Sequence, residues 1–419
     1  MKPNEEKQND VIVIGGGPAG ATTAALLAQQ KHQVLLLERE RFPRFKIGES
    51  LMPGTYWTLQ RLGMLEKMKK SWFPKKFSVQ FYSKSGKASS PFYFFENDPH
   101  ESSKTWQVLR SEFDQMMLEN AAEKGAETQP GVQVLDVLFR NSRAVGVRAK
   151  MPDKSIQEFG AQVIVDASGQ SALISRTLNI SKMESKLKQA SIYTHFENGV
   201  RDEGNDEGAT IIFNTRNEDS WFWYIPLPDN VVSVGVVGSL DYLLQNKKEA
   251  PQKIFEDELA ICPALQPRLA RAEQLFPVKT TKDFSYRSSQ ISGDGWVLVG
   301  DAYGFLDPIY SSGVFLALKS GELAADAIHQ AFEKNDFSRQ QLGGFEADFL
   351  KGMNAIRKLI YAFYSKNFSF GKFLKKYPDY RDEIVDILIG NIFNKDVNGL
   401  FDVMAEMCEL PEDYEFEGP

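Results

Sequence analysis

VIVIGGGPAGATTAALLAQQKHQVLLLE, running from Val11 to Glu38, decides the fold. Val11–Ile14 is a short β-branched run of the kind a buried parallel strand requires. Gly15-Gly16-Gly17-Pro18-Ala19-Gly20 follows, matching G-x-G-x-x-G with Gly15, Gly17 and Gly20. A helix comes next, with Ala21, Ala24, Ala25 and Ala28 on one face, small enough to pack closely on a sheet. Val34–Leu37 is the second strand and ends at Glu38. Strand, glycine turn, helix, strand and acid in this order predict a dinucleotide-binding βαβ unit. The glycines let the backbone approach a pyrophosphate at the helix N-terminus, and Glu38 can accept hydrogen bonds from a ribose.

The bulk properties set limits around that unit. At 419 residues the chain should form two or three domains. With a net charge of −7 and no basic run, neither nucleic acid nor anionic membranes are expected partners. Cys262 and Cys408 are the only cysteines and form no CxxC pair. That points to the cytoplasm and excludes a dithiol redox mechanism. His32, His100, His195 and His329 show no ligand spacing, so no metal is expected. The apolar run Val11–Ala28 is broken by glycines and Pro18, and it lacks the basic start and cleavage site of a signal peptide. No integral membrane segment is expected.

Further along, Ser111 and Asp114 have capping-box spacing at the start of a helix carrying Phe113, Met116, Met117 and Ala121. Val163–Asp166 reads as another buried strand and ends in Asp166-Ala167-Ser168-Gly169. Between about Ser191 and Ser239, alternating segments separated by Asn198-Gly199 and Pro228-Asp229-Asn230 predict an antiparallel meander. Trp296–Val299 returns to the parallel-strand pattern and leads into GDAYGFLDPIYSSG, Gly300–Gly313. The helix after Gly313 carries a small or apolar stripe at Val314, Ala317, Leu318, Gly321, Ala325 and Ile328. From Phe345 onward the chain reads as helices, and the acidic Glu409–Pro419 tail should fray.

GGGPAG with Glu38, FPRFKIGESLMPG (Phe42–Gly54), VLRSEFD (Val108–Asp114), DASG (Asp166–Gly169) and GDAYGFLDPIYSSG together resemble the para-hydroxybenzoate-hydroxylase-type superfamily of FAD enzymes. The motifs run in that family's order from about Val11 to Ile328. Within it, Trp221-Phe222-Trp223-Tyr224-Ile225-Pro226 is similar to the W-x-W-x-I-P of flavin-dependent halogenases, and Asp307–Gly313 resembles their D-P-x-x-S-x-G loop. Geranylgeranyl reductases carry looser versions of both, so a double-bond reductase stays open. An aromatic hydroxylase and a flavin-binding protein without chemistry also stay open.

The resemblance implies an α/β fold: a Rossmann-like FAD-binding domain of the glutathione-reductase type, an inserted antiparallel-sheet substrate domain and C-terminal helices. The corresponding division is 7–80, 101–180 and 278–344 for FAD binding, 81–100 and 181–277 for substrate, and 345–419 for the helices. Gly15, Gly17, Gly20 and Glu38 would hold the ADP half of FAD. Arg44, Ile47, Gly48 and Glu49 would lie beside the isoalloxazine, Arg110 near the phosphates or ribityl chain, and Asp301 on the ribityl hydroxyls. Pro18, Ala19, Arg39, Val134, Ala167, Gly169, Gly300, Pro308, Ser312, Gly313 and Val314 complete the FAD set. A halide ion would rest on the amides of Ser312 and Gly313, unless that turn is an ordinary helix start contacting only FAD.

Reduced FAD, oxygen and halide would give hypohalous acid, carried to a catalytic lysine, for which Lys76 is the candidate. Lys76 lacks the glycine and WG pair that usually follow that lysine in phenol-type halogenases, and a solvated lysine is the competing reading. Arg110 could likewise be a solvated helix-start residue, and Asp301 a turn cap. Trp221 and Trp223 would separate flavin from substrate, or be two core rings of a packed strand. Tyr310, where tryptophan-type enzymes carry a glutamate, points to a phenol- or pyrrole-like small-molecule substrate, free or carrier-bound. With one dinucleotide motif, electrons would come from a separate flavin reductase, or from a pyridine nucleotide bound transiently.

Overall fold

The structure, a computed structural model, describes residues 9–245, 247–282, 284–366 and 368–415. The domain limits set at residues 7 and 419 therefore lie outside the described residues.

Asn9–Ile14 is the centre of the first sheet. It pairs in parallel with Val34–Glu38 on one side and with Ile156–Asp166 on the other. Glu127–Pro130 and Trp296–Leu298 extend the parallel array outward at either side. Val11, Ile12 and Val13 have no exposed surface, which is why this stretch carries β-branched residues without polar alternation. Truncating one of them to alanine removes about 2–5 kcal/mol. The Pro18–Gln29 helix covers the sheet and packs on the long Ser312–Lys334 helix. A Cβ on Gly321 would lie 2.7 Å from the Ala19 carbonyl, so glycine there sets how closely the two helices approach.

The predicted meander forms the heart of the second sheet. Thr210–Asn214, Ser220–Pro226 and Val231–Ser239 run antiparallel in turn, and Ser181–Glu197 pairs with the last of them. Ser78–Tyr82 joins Thr210–Asn214 in parallel. Lys279–Thr281 and Phe284–Ser288 pair with Ser181–Glu197, and Gly304–Phe305 pairs with Phe284–Ser288. The sequence division had placed these last three strands, and residues 78–80, with the dinucleotide unit. Strand membership is fixed by hydrogen-bond partners far away in the chain, and local composition does not carry that information.

The C-terminal helices are Glu346–Tyr364, Phe370–Lys376, Arg381–Ile389 and Asn398–Met404. The tail was expected to fray, yet it is held as far as Tyr414. Asn354 Oδ1 accepts the Tyr414 N–H at 2.9 Å, and Arg357 donates to the Glu412 carbonyl at 2.7 Å while stacking 4.0 Å from the Tyr414 ring. Residues 416–419 lie outside the description. Among the described residues, no helix is long and apolar enough to cross a membrane, and no metal-binding cluster of His, Cys, Asp and Glu occurs.

Candidate active site

A cavity of about 850 Å³ opens between the two sheets and collects residues from most of the quoted motifs. Gly15, Gly17, Pro18, Ala19, Glu38, Arg39, Arg44, Ile47, Gly48 and Arg110 line one part of it. Val134, Ala167, Gly169, Gly300, Asp301, Pro308, Gly313 and Val314 line the next. Tyr193, Thr210, Ile212, Trp221, Trp223 and Ile225 close the side toward the second sheet. Gly20 is not on the wall: its missing side chain serves packing, since a Cβ would sit 1.9 Å from the Gly15 carbonyl.

The glycines test whether FAD fits. Gly15 has φ +106° and a Cβ there would lie 2.4 Å from the Ala167 carbonyl, so the protein alone demands it. At Gly17 the nearest atom a Cβ would meet is Arg44 Nη2 at 3.6 Å, and at Gly313 nothing lies within 4 Å. Protein packing does not require glycine at either position, and both face the cavity. Each also sits at a helix start without a side-chain cap. First-turn N–H groups have no partner within their own helix and attract negative charge. Two such ends on one long cavity suit a cofactor that sets a pyrophosphate against the first and an electron-rich ring against the second. The residues fit FAD.

Glu38 is partly committed. Its Oε2 accepts the Gly16 N–H at 2.7 Å and its Oε1 the Glu40 N–H at 2.8 Å, leaving one lone pair on each oxygen for a ribose. Arg39 reaches across to Ser171 Oγ at 3.3 Å. The solvated reading of Arg110 fails, because the residue is 9% exposed. Its Nε and Nη2 grip Asp114 at 2.8 and 3.0 Å, and its Nη1 donates to the Ile47 carbonyl at 2.6 Å. Asp114 also accepts Arg44 Nη1 at 3.0 Å. The capping box fails for the same reason: the Arg110–Glu123 helix begins without a side-chain cap, and the Asp114 carboxylate is spent on two guanidiniums.

Ser312 lies off the main wall, in an adjoining niche of about 10 Å³ shared with Gly300, Asp301, Asp307 and Gly313. That is room for one atom-sized occupant. Trp221 and Trp223 both line the cavity and are both buried. Trp223 Nε1 donates to Ser233 Oγ at 3.1 Å, and Trp221 Nε1 to Tyr364 Oη at 3.2 Å. Tyr364 in turn donates to Asp307 Oδ2 at 3.1 Å, and burial drives its pKa well above the usual phenol value. Tyr310, expected on the substrate side, does not line the cavity. It is 7% exposed, and its hydroxyl donates backward to the Leu359 carbonyl at 3.2 Å.

Lys76 is not solvated either; it is 4% exposed. Its Nζ donates to Ser50 Oγ at 2.9 Å and to the Leu51 carbonyl at 3.1 Å, and sits 5.5 Å from the centre of the Phe94 ring. Among the described residues no carboxylate pairs with it. Burial pulls its pKa down to about 7. Glu49, expected beside the isoalloxazine, is on the wall and has a partner that the sequence did not suggest: His195 Nε2 lies 3.0 Å from its Oε1, and both are buried. The histidines were judged by metal spacing alone, and nothing local links positions 146 residues apart.

The family model for tryptophan halogenases matches residues 10–103 and 92–373. A 1H-pyrrole-2-carbonyl-[peptidyl-carrier protein] chlorinase of Pseudomonas fluorescens is 32% identical, covering 90% of this chain and 88% of its own. The corresponding brominase of Pseudoalteromonas luteoviolacea is 34% identical, covering 86% of each chain. The solved flavin-dependent brominase Bmp2 superposes with a TM-score of 0.84 at 32% identity, over 96% of this chain and 98% of that one. With the motifs, the cavity and these matches in agreement, the chain belongs to the tryptophan halogenase family of FAD-dependent halogenating oxidoreductases.

Proposed function

We propose that this halogenase acts on a pyrrole-like acyl group presented by a carrier protein, with Lys76 as the acid of the reaction. The observation that carries the chemistry is a dry, unpaired lysine, its pKa near 7, held directly behind the wall formed by Ser50 and Thr210. The carrier-bound substrate rests on the two pyrrolyl-carrier relatives.

Bound reduced FAD, with oxygen and halide, supplies hypohalous acid. The two helix starts and Glu38, Arg39, Arg44 and Arg110 hold the cofactor. The amides of Ser312 and Gly313 hold the halide in the small niche beside it. Trp221 and Trp223 keep the substrate off the flavin and exclude water. The Lys76 ammonium is the source of the proton that the hypohalous acid oxygen takes, and that oxygen leaves as water while the ring carbon takes the halogen. The ring then loses its proton, and Lys76 regains one, so the lysine ends unchanged. A separate flavin reductase supplies electrons, and the two unpaired, buried cysteines suit a cytoplasmic setting.

The test supplies FAD, a flavin reductase, NADH, oxygen and bromide with pyrrole-2-carbonyl carrier protein, free pyrrole-2-carboxylate or a set of phenols. A bromine isotope doublet confined to the carrier-bound product is expected. A doublet only on phenols would overturn the substrate, and no doublet on any would overturn halogenation by this chain.

A further inference from the structure

Lys76 does not itself line the cavity, so its proton needs a way through the wall. The side chains between them leave one hydrogen-bonded route. Ser50 Oγ accepts from Lys76 Nζ at 2.9 Å and lies 2.8 Å from Thr210 Oγ1. Either hydroxyl can donate in that second bond, and Gln107 occupies one acceptor site on Thr210. Gln107 Nε2 must donate to the Gly208 carbonyl at 2.8 Å, and the same nitrogen donates to Thr210 Oγ1 at 2.9 Å. With the lysine charged, the arrangement in which Ser50 donates to Thr210 makes an unbroken chain of donors from Nζ to Thr210 Oγ1. Thr210 then accepts twice, and its proton has no protein acceptor among the described residues. Ser50 and Thr210 both line the cavity, and all four side chains are buried.

We propose that Ser50 and Thr210 form a two-hydroxyl proton relay joining Lys76 to the cavity, with Gln107 holding Thr210 in place. The proposal rests on the reading of Lys76 as the acid. In the forward direction Thr210 gives its proton to the hypohalous acid oxygen, Ser50 replaces it and Lys76 replaces that of Ser50. Water leaves, and the neutral amine remains sealed behind the wall. In the return direction the proton released by the ring enters at Thr210 and ends on Lys76. No atom is gained or lost by the relay. Orientation matters here, because a hydroxyl that faced the wrong way would have to rotate before passing a proton.

Thr210→Val keeps the shape and the Lys76–Ser50 bond but removes the link between Ser50 and the cavity. It should lower kcat about tenfold to a hundredfold with KM unchanged. Bound FAD and the melting temperature should stay as in the unaltered protein, and more free hypohalous acid should be caught by a chemical trap. Thr210→Ser should restore turnover, and Ser50→Ala should match Thr210→Val. Turnover within twofold for Thr210→Val beside a dead Lys76→Ala would overturn the relay and leave the acid in place. Failure of Thr210→Ser to restore turnover would also overturn it, in favour of a packing role. An active Lys76→Ala would overturn the reading of Lys76 on which the relay rests.

Discussion

An amine buried without a carboxylate is a thermodynamic burden, and Lys76 carries it. Its pKa falls from 10.5 to about 7 through desolvation. Between those values the unfolded chain holds a proton that the folded one has released, so stability rises with pH across that window. At pH 7 and below nearly the whole penalty is present, on the order of 4 kcal/mol. Lys76→Met should therefore melt higher at pH 7, by an advantage that shrinks toward pH 10, while halogenation is lost and FAD stays bound. Thermal unfolding at both pH values checks this; a lower melting point at pH 7 would contradict it. In the proposed role of Lys76 the acid form is the useful one, so kcat should fall as pH rises through about 7. A rate that climbs over that range would remove Lys76 as the acid. Lys75 and Lys76 are adjacent in the sequence, but only Lys76 is buried, because Ser50 and Phe94 cover it and neither is a neighbour in the chain.

Helix starts gave the sequence reading its strongest purchase, because a strand, a glycine turn and a helix are a local pattern set by backbone requirements. The glycines that look alike in the motif are nevertheless unlike in the structure. Gly15→Ala would force a φ of +106° on a side chain and drive its Cβ against the Ala167 carbonyl. It should destabilise the fold by at least about 1 kcal/mol and abolish FAD binding. Gly313→Ala meets nothing within 4 Å, and alanine is the better helix former. Stability should hold or rise by up to about 1 kcal/mol, while the KM for bromide rises severalfold because the new methyl group would stand in the proposed halide site. Denaturation midpoints and bromide titrations separate the two; an unchanged bromide KM would take Gly313 out of the halide site. The error at Ser111 and Asp114 has the reverse cause. Capping spacing is local, but the partners that claim Asp114 include Arg44, 70 residues away.

Across the molecule, the elements that meet at the cavity are tied together by buried charges and hydroxyls that no motif announces. Glu184 on the second sheet receives Arg357 Nη2 at 2.6 Å and the Tyr361 hydroxyl at 2.6 Å, both from the Glu346–Tyr364 helix. Trp221, Tyr364 and Asp307 join strand, helix and loop in the same manner. Arg357→Met leaves Glu184 without its cation and should cost about 2–4 kcal/mol in chemical denaturation, with the tail cut faster by protease. A denaturation midpoint unmoved by the substitution would show that the pair contributes nothing. The parallel core and the meander were readable because burial imposes residue type along each strand. The sheet to which Lys279–Thr281 and Phe284–Ser288 belong was not, since long-range pairing leaves no mark on composition. The sealed lysine has a consequence for breeding the enzyme. Libraries ranked by heat tolerance alone will gather apolar replacements at position 76 and discard the working catalyst, so selection should couple survival to halogenated product from the first round.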